Sequence, residues 1–181
     1  IGAGDVGAAA FGAALTTNDT LLSLDLGINH IGADGARLLG HGLVENTALT
    51  ALGLAMNELQ DRGVRWLSSH IAGHSMLSSL DLRCNCSGPK SAGDLAKALA
   101  SSQSMSLTSL DLRANRLGSR GARALCACIQ RHPCLRLLRL DDNGIGIDVM
   151  PALADALERN CFSGIEVISM GGNRAFPDVC N

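Results

Sequence analysis

The sequence predicts an α/β solenoid in which short parallel strands alternate with helices along one stacking direction. One frame of spaced leucines followed by an asparagine recurs along the chain, with copies starting at positions 21, 49, 77, 107, 135 and 165. Within the copies, the spacing of apolar residues changes from two to three or four, as expected when a strand is followed by a helix. Copies in phase indicate a repeat architecture, because each unit can bury its apolar face only against its neighbours.

The strand of each repeat is predicted by the first half of the frame, L-x-x-L-x-L-x-x-N-x-L-G. It reads "LLSLDLGINHIG" from Leu21, "LTALGLAMNELQ" from Leu49 and "LSSLDLRCNCSG" from Leu77. Further copies read "LTSLDLRANRLG" from Leu107, "LRLLRLDDNGIG" from Leu135 and, more weakly, "IEVISMGGNRAF" from Ile165. The last two leucines alternate with one other residue, which predicts a strand with one buried face.

The helix of each repeat is predicted by apolar residues spaced three and four apart on one face. The stripes comprise Leu95 and Leu99 in the third copy, Ala122, Leu125 and Ile129 in the fourth, and Leu153 and Leu157 in the fifth. A helix between consecutive strands of one sheet makes those strands parallel. Since helices are wider than strands, the stack should curve with the strands on its concave side.

The asparagine of each frame is predicted to be structural. After the strand the chain turns, and backbone groups lose their ladder partners; an amide side chain can donate to and accept from such groups at once. Each buried group left unpaired would cost about 1–3 kcal/mol. The frame asparagines are Asn29, Asn57, Asn85, Asn115, Asn143 and Asn173.

The chain closely resembles the ribonuclease-inhibitor-like subclass of leucine-rich repeat proteins, on the frame just quoted. The resemblance covers nearly the whole chain and implies a curved horseshoe with helices on its convex side. It implies one domain over 1–181, with a partial repeat at 1–20 and repeats starting near 21, 49, 77, 107, 135 and 165. Because neither end reads as a polar cap, we expect the segment to belong to a longer array.

The N-terminal stretch "IGAGDVG" matches the dinucleotide-binding fingerprint G-x-G-x-x-G. Asp25 follows 18 residues after Gly7, near the distance of a ribose-binding acid. The stretch also aligns with the repeat copy from Ile31, with Gly2 opposite Gly32, and Asp25 recurs at its frame position as Asp81. We therefore interpret the glycines as a turn into a repeat helix and expect no bound cofactor.

The concave face is predicted from the odd frame positions between the core leucines. The fifth position holds Asp25, Gly53, Asp81, Asp111, Arg139 and Ser169, and the seventh holds Gly27, Ala55, Arg83, Arg113, Asp141 and Gly171. Two interpretations of the charged C-terminal half stay open: a self-compensated ion-pair network or a protein-binding patch. The candidate binding residues are Asp81, Arg83, Asp111, Arg113, Leu137, Arg139 and Asp141.

The other reactive side chains do not predict a catalytic or metal site. The seven cysteines are odd in number and irregularly spaced, which indicates free thiols and a reducing compartment. Cys128 and Cys134 are expected to be small buried hydrophobes. His70 and His74 have the i, i+4 spacing of a metal pair but no third ligand, so we expect histidines on the surface or at helix ends. Trp66 stands in an apolar stretch and is expected in the core.

Composition and resemblance together predict a non-enzymatic, cytoplasmic scaffold that binds a protein through its concave face. The net charge of −2 and the low aromatic content give no support for nucleic-acid binding, and no apolar run is long enough for a membrane span. Further repeats or domains of the same chain are additional candidate partners. Two alternatives stay open: a GTPase-activating protein of the Ran type, and a structural subunit of a large complex.

Overall fold

The fold consists of a six-stranded parallel sheet with a layer of helices along one side. The computed structural model describes residues 2–72, 74, 76–100, 106–130, 132–159 and 164–173. The strands are β1 Ser23–Asp25, β2 Ala51–Gly53, β3 Ser79–Asp81, β4 Ser109–Asp111, β5 Leu137–Arg139 and β6 Val167–Ser169. The helices are α1 Gly4–Leu15, α2 Ala33–Glu45, α3 Gln60–Ile71, α4 Pro89–Leu99, α5 Gly118–Ile129 and α6 Met150–Glu158, with a short 3₁₀ turn at Ile147–Val149.

Consecutive strands are neighbours in the open sheet, in the order β1-β2-β3-β4-β5-β6. Equal frame positions are paired: Leu24 with Leu52, Leu52 with Leu80, and Leu80 with Leu110. Each repeat therefore adds one strand and one helix in register with the last, and contacts between elements run only along the stack. The predicted α/β solenoid with strands on one side and helices on the other is confirmed.

The core lies between the sheet and the helices. The second and third leucines of each frame are buried from the first copy to the fifth, beginning with Leu24 and Leu26. The helix stripe is also buried at Leu95, Leu99 and Leu125, as predicted. Leu157 was expected on that stripe, but it is exposed. The buried residue of α6 is its neighbour Ala156.

The frame asparagines tie each repeat to the one before it. The Asn57 amide donates to the Leu26 carbonyl at 2.9 Å, and its Oδ1 accepts from the Ile31 N–H at 2.9 Å. Asn85, with no exposed surface, donates to the Leu54 carbonyl at 2.8 Å. The amides of Asn115, Asn143 and Asn173 bridge repeats in the same way. The structural interpretation of the asparagines is confirmed.

Of the N-terminal glycines, Gly2 lies in the turn before α1, Gly4 begins that helix and Gly7 lies within it, so the repeat alignment is offset by two positions from the predicted one. The Ala3 N–H donates to Asn29 Oδ1, just as the Ile31 N–H donates to Asn57 Oδ1. Gly4, not Gly2, is therefore the counterpart of Gly32, and the first repeat spacing is 28 residues. Gly4 has a φ of +55°, a conformation that glycine adopts without steric cost.

Candidate functional site

The concave face is the outward surface of the sheet, and its two halves differ. In β1 and β2 the outward side chains are small or absent, as at Gly53, apart from the carboxylate of Asp25. From β3 to β6 the face carries charged and apolar side chains, which is where the sequence predicts a binding patch. We call this set the concave patch: Asp81, Arg83, Asp111, Arg113, Leu137, Arg139 and Asp141.

An ion-pair network centred on Asp111 occupies the middle of the concave patch. Arg113 binds the Asp111 carboxylate in bidentate fashion, with its Nε 3.0 Å from both oxygens and an Nη2–Oδ2 distance of 2.6 Å. Arg139, one strand away, places a guanidinium nitrogen 3.7 Å from the same carboxylate. One buried carboxylate is thus shared by two half-exposed guanidinium groups, which leaves N–H donors free to face outward.

The aspartates also shape the backbone where the strands end. The Oδ1 atoms of Asp81 and Asp111 accept the N–H groups of Arg83 and Arg113, both at 3.1 Å. Asp25 accepts the Gly27 N–H at 2.9 Å in the same manner. Asp25 therefore shapes the turn after β1. Its distance from the N-terminal glycines, which resembles that of a ribose-binding acid, follows from the repeat.

Asp141 holds the last turn of the concave patch. Its Oδ1 accepts the Ser169 hydroxyl at 2.6 Å and the Gly171 N–H at 2.8 Å. Burial acts to raise its pKa, but these hydrogen bonds and the nearby Arg113 guanidinium outweigh burial, so the pKa of Asp141 lies below its ordinary value. Asp141 is thus held as a carboxylate that cross-links two repeats.

Burial and charge act differently on the other ionisable groups of the concave patch. Burial raises the pKa of Asp81, and the neighbouring Asp111 carboxylate adds to that rise against the opposing hydrogen bond from the Arg83 N–H. The hydrogen bond to Asp111 raises the pKa of Arg113, so this guanidinium stays charged.

An apolar strip lies beside the arginines. Leu137 of β5 is half-buried and pairs in register with Val167 of β6, whose side chain is 48% exposed. Sequence reasoning selected Leu137 but missed Val167, although Val167 occupies the same third frame position of the next copy. Together they place exposed apolar surface next to Arg139, which follows on β5.

The structure corrects two expectations about the cysteines and histidines. Within the described residues, no group of three or more His, Cys, Asp or Glu side chains is placed to hold a metal. The cysteines of the described ranges are free, and burial raises the pKa of the Cys128 thiol to about 12. Cys134, expected to be buried, is half-buried. His74 and His132 were expected on the surface or at helix ends; they lie just beyond the ends of α3 and α5, but both are buried and not on the surface.

A second repeating position, which sequence reasoning missed, lies three residues before the first leucine of the frame. Its Asn46 accepts the Ala48 and Leu49 N–H groups at 3.1 and 2.7 Å. In the next repeat, His74 Nδ1 accepts the Met76 and Leu77 N–H groups at 3.3 and 3.1 Å. Asn18 and His132 occupy the equivalent positions and make equivalent bonds. The signal in the sequence was a fixed offset from the frame, which was hidden because the position holds asparagine in some repeats and histidine in others.

Trp66 lies on the convex side and not in the core. Its α3 buries Val64, Leu67 and Ile71, while the Trp66 side chain on the other face is 38% exposed. The expectation of a core tryptophan was wrong because it relied on local hydropathy instead of the helical stripe. A spacing of three and four from Val64 to Leu67 and Ile71 would have placed Trp66 outside.

Comparisons with known proteins agree with this architecture. A family model described as Leucine Rich repeat matches residues 17–40 and 103–126. The chain is built from leucine-rich repeats. The ribonuclease-inhibitor-like subclass remains a prediction.

Two solved structures share the fold of this leucine-rich repeat protein. The tropomodulin C-terminal domain of Caenorhabditis elegans is 17% identical, with 86% of this chain and 92% of that domain covered and a TM-score of 0.68. A structure titled Leiomodin-1 Actin-Binding Site 2 is 15% identical, with coverage of 85% and 87% and a TM-score of 0.65. No curated protein sequence matches the chain. Among the described residues, none of the helices has the length and hydropathy needed to cross a membrane.

Proposed function

We propose that this leucine-rich repeat domain is a non-enzymatic scaffold that binds a protein partner through the concave patch. The observation that carries the proposal is the sharing of the Asp111 carboxylate between Arg113 and Arg139, which leaves guanidinium donors outward-facing. Arginine forks recognise carboxylates with both charge and geometry. Beside them, Leu137 and Val167 offer apolar surface. Arginine next to apolar side chains is a composition favoured at protein interfaces.

The proposed partner carries carboxylates opposite Arg83 and Arg139 and an apolar side chain opposite Leu137. Actin is the first candidate to test, because one solved structure with this fold is titled an actin-binding site. That likeness is one of fold, and a fold alone does not fix a partner. We further propose a cytoplasmic location, which the free thiols of the described cysteines support.

The test is binding of fluorescently labelled actin, in monomeric and filamentous form, to the wild-type chain and to Arg139→Glu. Arg139 is the best variant because its contact with Asp111 is long, so its reversal should leave the fold intact. We expect about a tenfold or greater loss of affinity, typical of reversing a charge that faces a carboxylate. Arg159→Glu, a charge reversal at the end of α6, is the matched control and should bind as wild type.

Two results would count against parts of this proposal. Equal binding by wild type and Arg139→Glu would remove the concave patch as the contact surface. Absence of binding to either form of actin would remove actin as the partner. The alternative of a GTPase-activating function is tested separately by GTP hydrolysis on Ran, for which we expect no stimulation at any concentration of the chain.

A further inference from the structure

The convex side carries a groove that begins at Trp66. A cavity of about 350 Å³ lies between α3 and α4, lined by Asp61, Arg62, Arg65, Trp66, Lys90 and Asp94. It shares Arg65, Lys90 and Asp94 with a cavity of about 480 Å³ that extends over α4 to α5. The two together form what we call the convex groove.

The floor of the convex groove is made of small residues. A Cβ atom added at Gly93 of α4 would meet no heavy atom within 4 Å, so the space above Gly93 is open. Ala124 of α5 lines the same space. A third cavity of about 310 Å³ continues from Gly93 and Ala124 over further alanines of α4 and α5. Small side chains between two helices leave room for the apolar side chain of a bound segment.

The rim of the convex groove is positively charged. The first two cavities are lined by five cationic and two acidic side chains, a formal charge of +3 on a chain whose net charge is −2. One of the two acids, Asp61, is occupied by the Gly88 N–H at 2.6 Å where α4 begins. Within the described ranges, no carboxylate lies within 4 Å of Arg65, Lys90 or Arg120. These cations therefore have no internal partner to compensate them.

We propose that the convex groove binds an acidic peptide segment of a protein partner. The segment would place an apolar side chain against Trp66 and the open floor at Gly93, and its carboxylates against Arg65, Lys90 and Arg120. An apolar floor favours a peptide over a nucleic acid, which would bring phosphates but no aliphatic side chain. The surface lies on the helix side of the solenoid, so this inference is independent of the concave patch.

The sequence supplies a direct optical probe of this site. Trp66 is the only tryptophan, and the chain has no tyrosine, so tryptophan emission reports on the convex groove alone. We would titrate the chain with an acidic peptide, EDFEELE, and with a charge-reversed peptide, KKFKKLK. We expect a saturable change in emission with the acidic peptide and none with the reversed one. No saturable change with EDFEELE, or an equal response to both peptides, would overturn the proposal.

Variants separate the role of the rim from that of the floor. The double variant Arg65→Glu/Lys90→Glu should weaken binding of EDFEELE by about tenfold or more, since it turns attraction into repulsion. Gly93→Met should also weaken binding, because its side chain fills the groove, while the fold is kept since Met favours helix over Gly. Arg116→Glu, in the turn after β4, is the matched control and should bind as wild type.

Two further measurements test whether the convex groove binds the peptide. Thermal unfolding of each variant confirms that the fold is intact before binding is compared. If both the rim and the floor variants bind EDFEELE like wild type, the groove is not the site. If an oligothymidylate changes the Trp66 emission at lower concentration than EDFEELE, the surface is a nucleic-acid site and the peptide proposal fails.

Discussion

The turns before and after each strand both have backbone N–H groups that need an acceptor, but different side chains supply it. After the strand, every repeat uses asparagine, from Asn29 to Asn173. Before the strand, among the residues that the structure describes, two repeats use asparagine, as at Asn46, and two use histidine, as at His74. In both places the side chain accepts backbone N–H groups, of its own turn before the strand and of the preceding repeat after it.

The difference between the turns follows from the bonds that each position must make. After the strand the side chain must also donate, because carbonyls of two successive repeats point at it, and only an amide supplies both functions in so small a volume. Before the strand, His74 only accepts, so an imidazole nitrogen suffices. The repeat is therefore strict after the strand, where each copy needs both a donor and an acceptor. It is more permissive before the strand, where Asn46 donates to two carbonyls of the preceding repeat while His74 Nε2 donates to none.

Removing an asparagine after the strand should have the largest effect on stability. Asn85→Ala leaves the Leu54 and Leu82 carbonyls without the amide that donates to them at 2.8 and 3.1 Å, and the Leu59 N–H without its acceptor. We expect a loss of about 3–5 kcal/mol in the free energy of unfolding, since each such group costs about 1–3 kcal/mol. Urea unfolding followed by circular dichroism measures it.

The matched control for that variant is Asn29→Ala. Asn29 is half-buried, and its amide donates to the Gly27 carbonyl of its own turn; its bond to the preceding repeat is the one that it accepts from the Ala3 N–H at 3.2 Å. We expect a loss of about 1 kcal/mol, close to the value of one ordinary hydrogen bond. Equal losses in the two variants would mean that the amide donation to the preceding repeat, which Asn85 makes and Asn29 does not, adds nothing to the stability of the turn.

An intermediate effect is expected from exchanging the two side chains before the strand. Asn46→His keeps an acceptor for the Ala48 and Leu49 N–H groups but cannot reproduce both amide bonds to the Leu15 and Asn18 carbonyls, at 2.9 and 2.7 Å. We expect a loss of about 1–2 kcal/mol by urea unfolding.

The control for the exchange is the same substitution at the exposed equivalent position. Asn18 accepts the Thr20 and Leu21 N–H groups, and its surface is open to water. Asn18→His should leave the free energy of unfolding within about 0.5 kcal/mol of wild type. A loss as large as that of Asn46→His would show that imidazole itself, and not the lost donor bonds, destabilises this turn.

The strict turn is also the part of the fold that the sequence predicts best. The asparagine in every copy fixes where each repeat begins along the chain. The leucine at the centre of each strand then fixes the register between neighbouring strands, as in the pairing of Leu52 with Leu80. The turn before the strand escaped prediction because Asn and His share an acceptor but no obvious similarity. Trp66 escaped because hydropathy averaged over a window does not distinguish the two faces of a helix.

The concave patch was predictable in position but not in its internal bonding. Alternation along the strands places Asp111 and Arg139 on the outward face. That Arg113 and Arg139 meet at one carboxylate depends on side-chain rotamers and on the spacing between neighbouring strands, which no frame position encodes. The open interpretations of a compensated network and a binding patch are therefore distinguished by binding experiments and not by the frame.

The smallest effect on the free energy of unfolding at neutral pH is expected from His74→Asn, a substitution in the turn before the strand. Burial lowers the pKa of His74 below its ordinary value of 6.5, so the folded chain holds the neutral ring while the unfolded chain takes up a proton more readily. Stability should therefore be complete above pH 6.5 and decline as the pH falls below it. His74→Asn should match wild type near pH 8, because asparagine supplies the same acceptor, as Asn46 does.

The comparison of the two chains across pH separates His74 from the other histidines, which both chains keep. The difference in the free energy of unfolding should grow in favour of His74→Asn below pH 6.5, by at most about 1.4 kcal/mol per pH unit for one proton. His74→Ala should also lose the pH dependence but be less stable by about 1–2 kcal/mol near pH 8, since the Met76 and Leu77 N–H groups lose their acceptor. If the pH dependence of unfolding is unchanged in His74→Asn, the His74 ring is not the group that titrates.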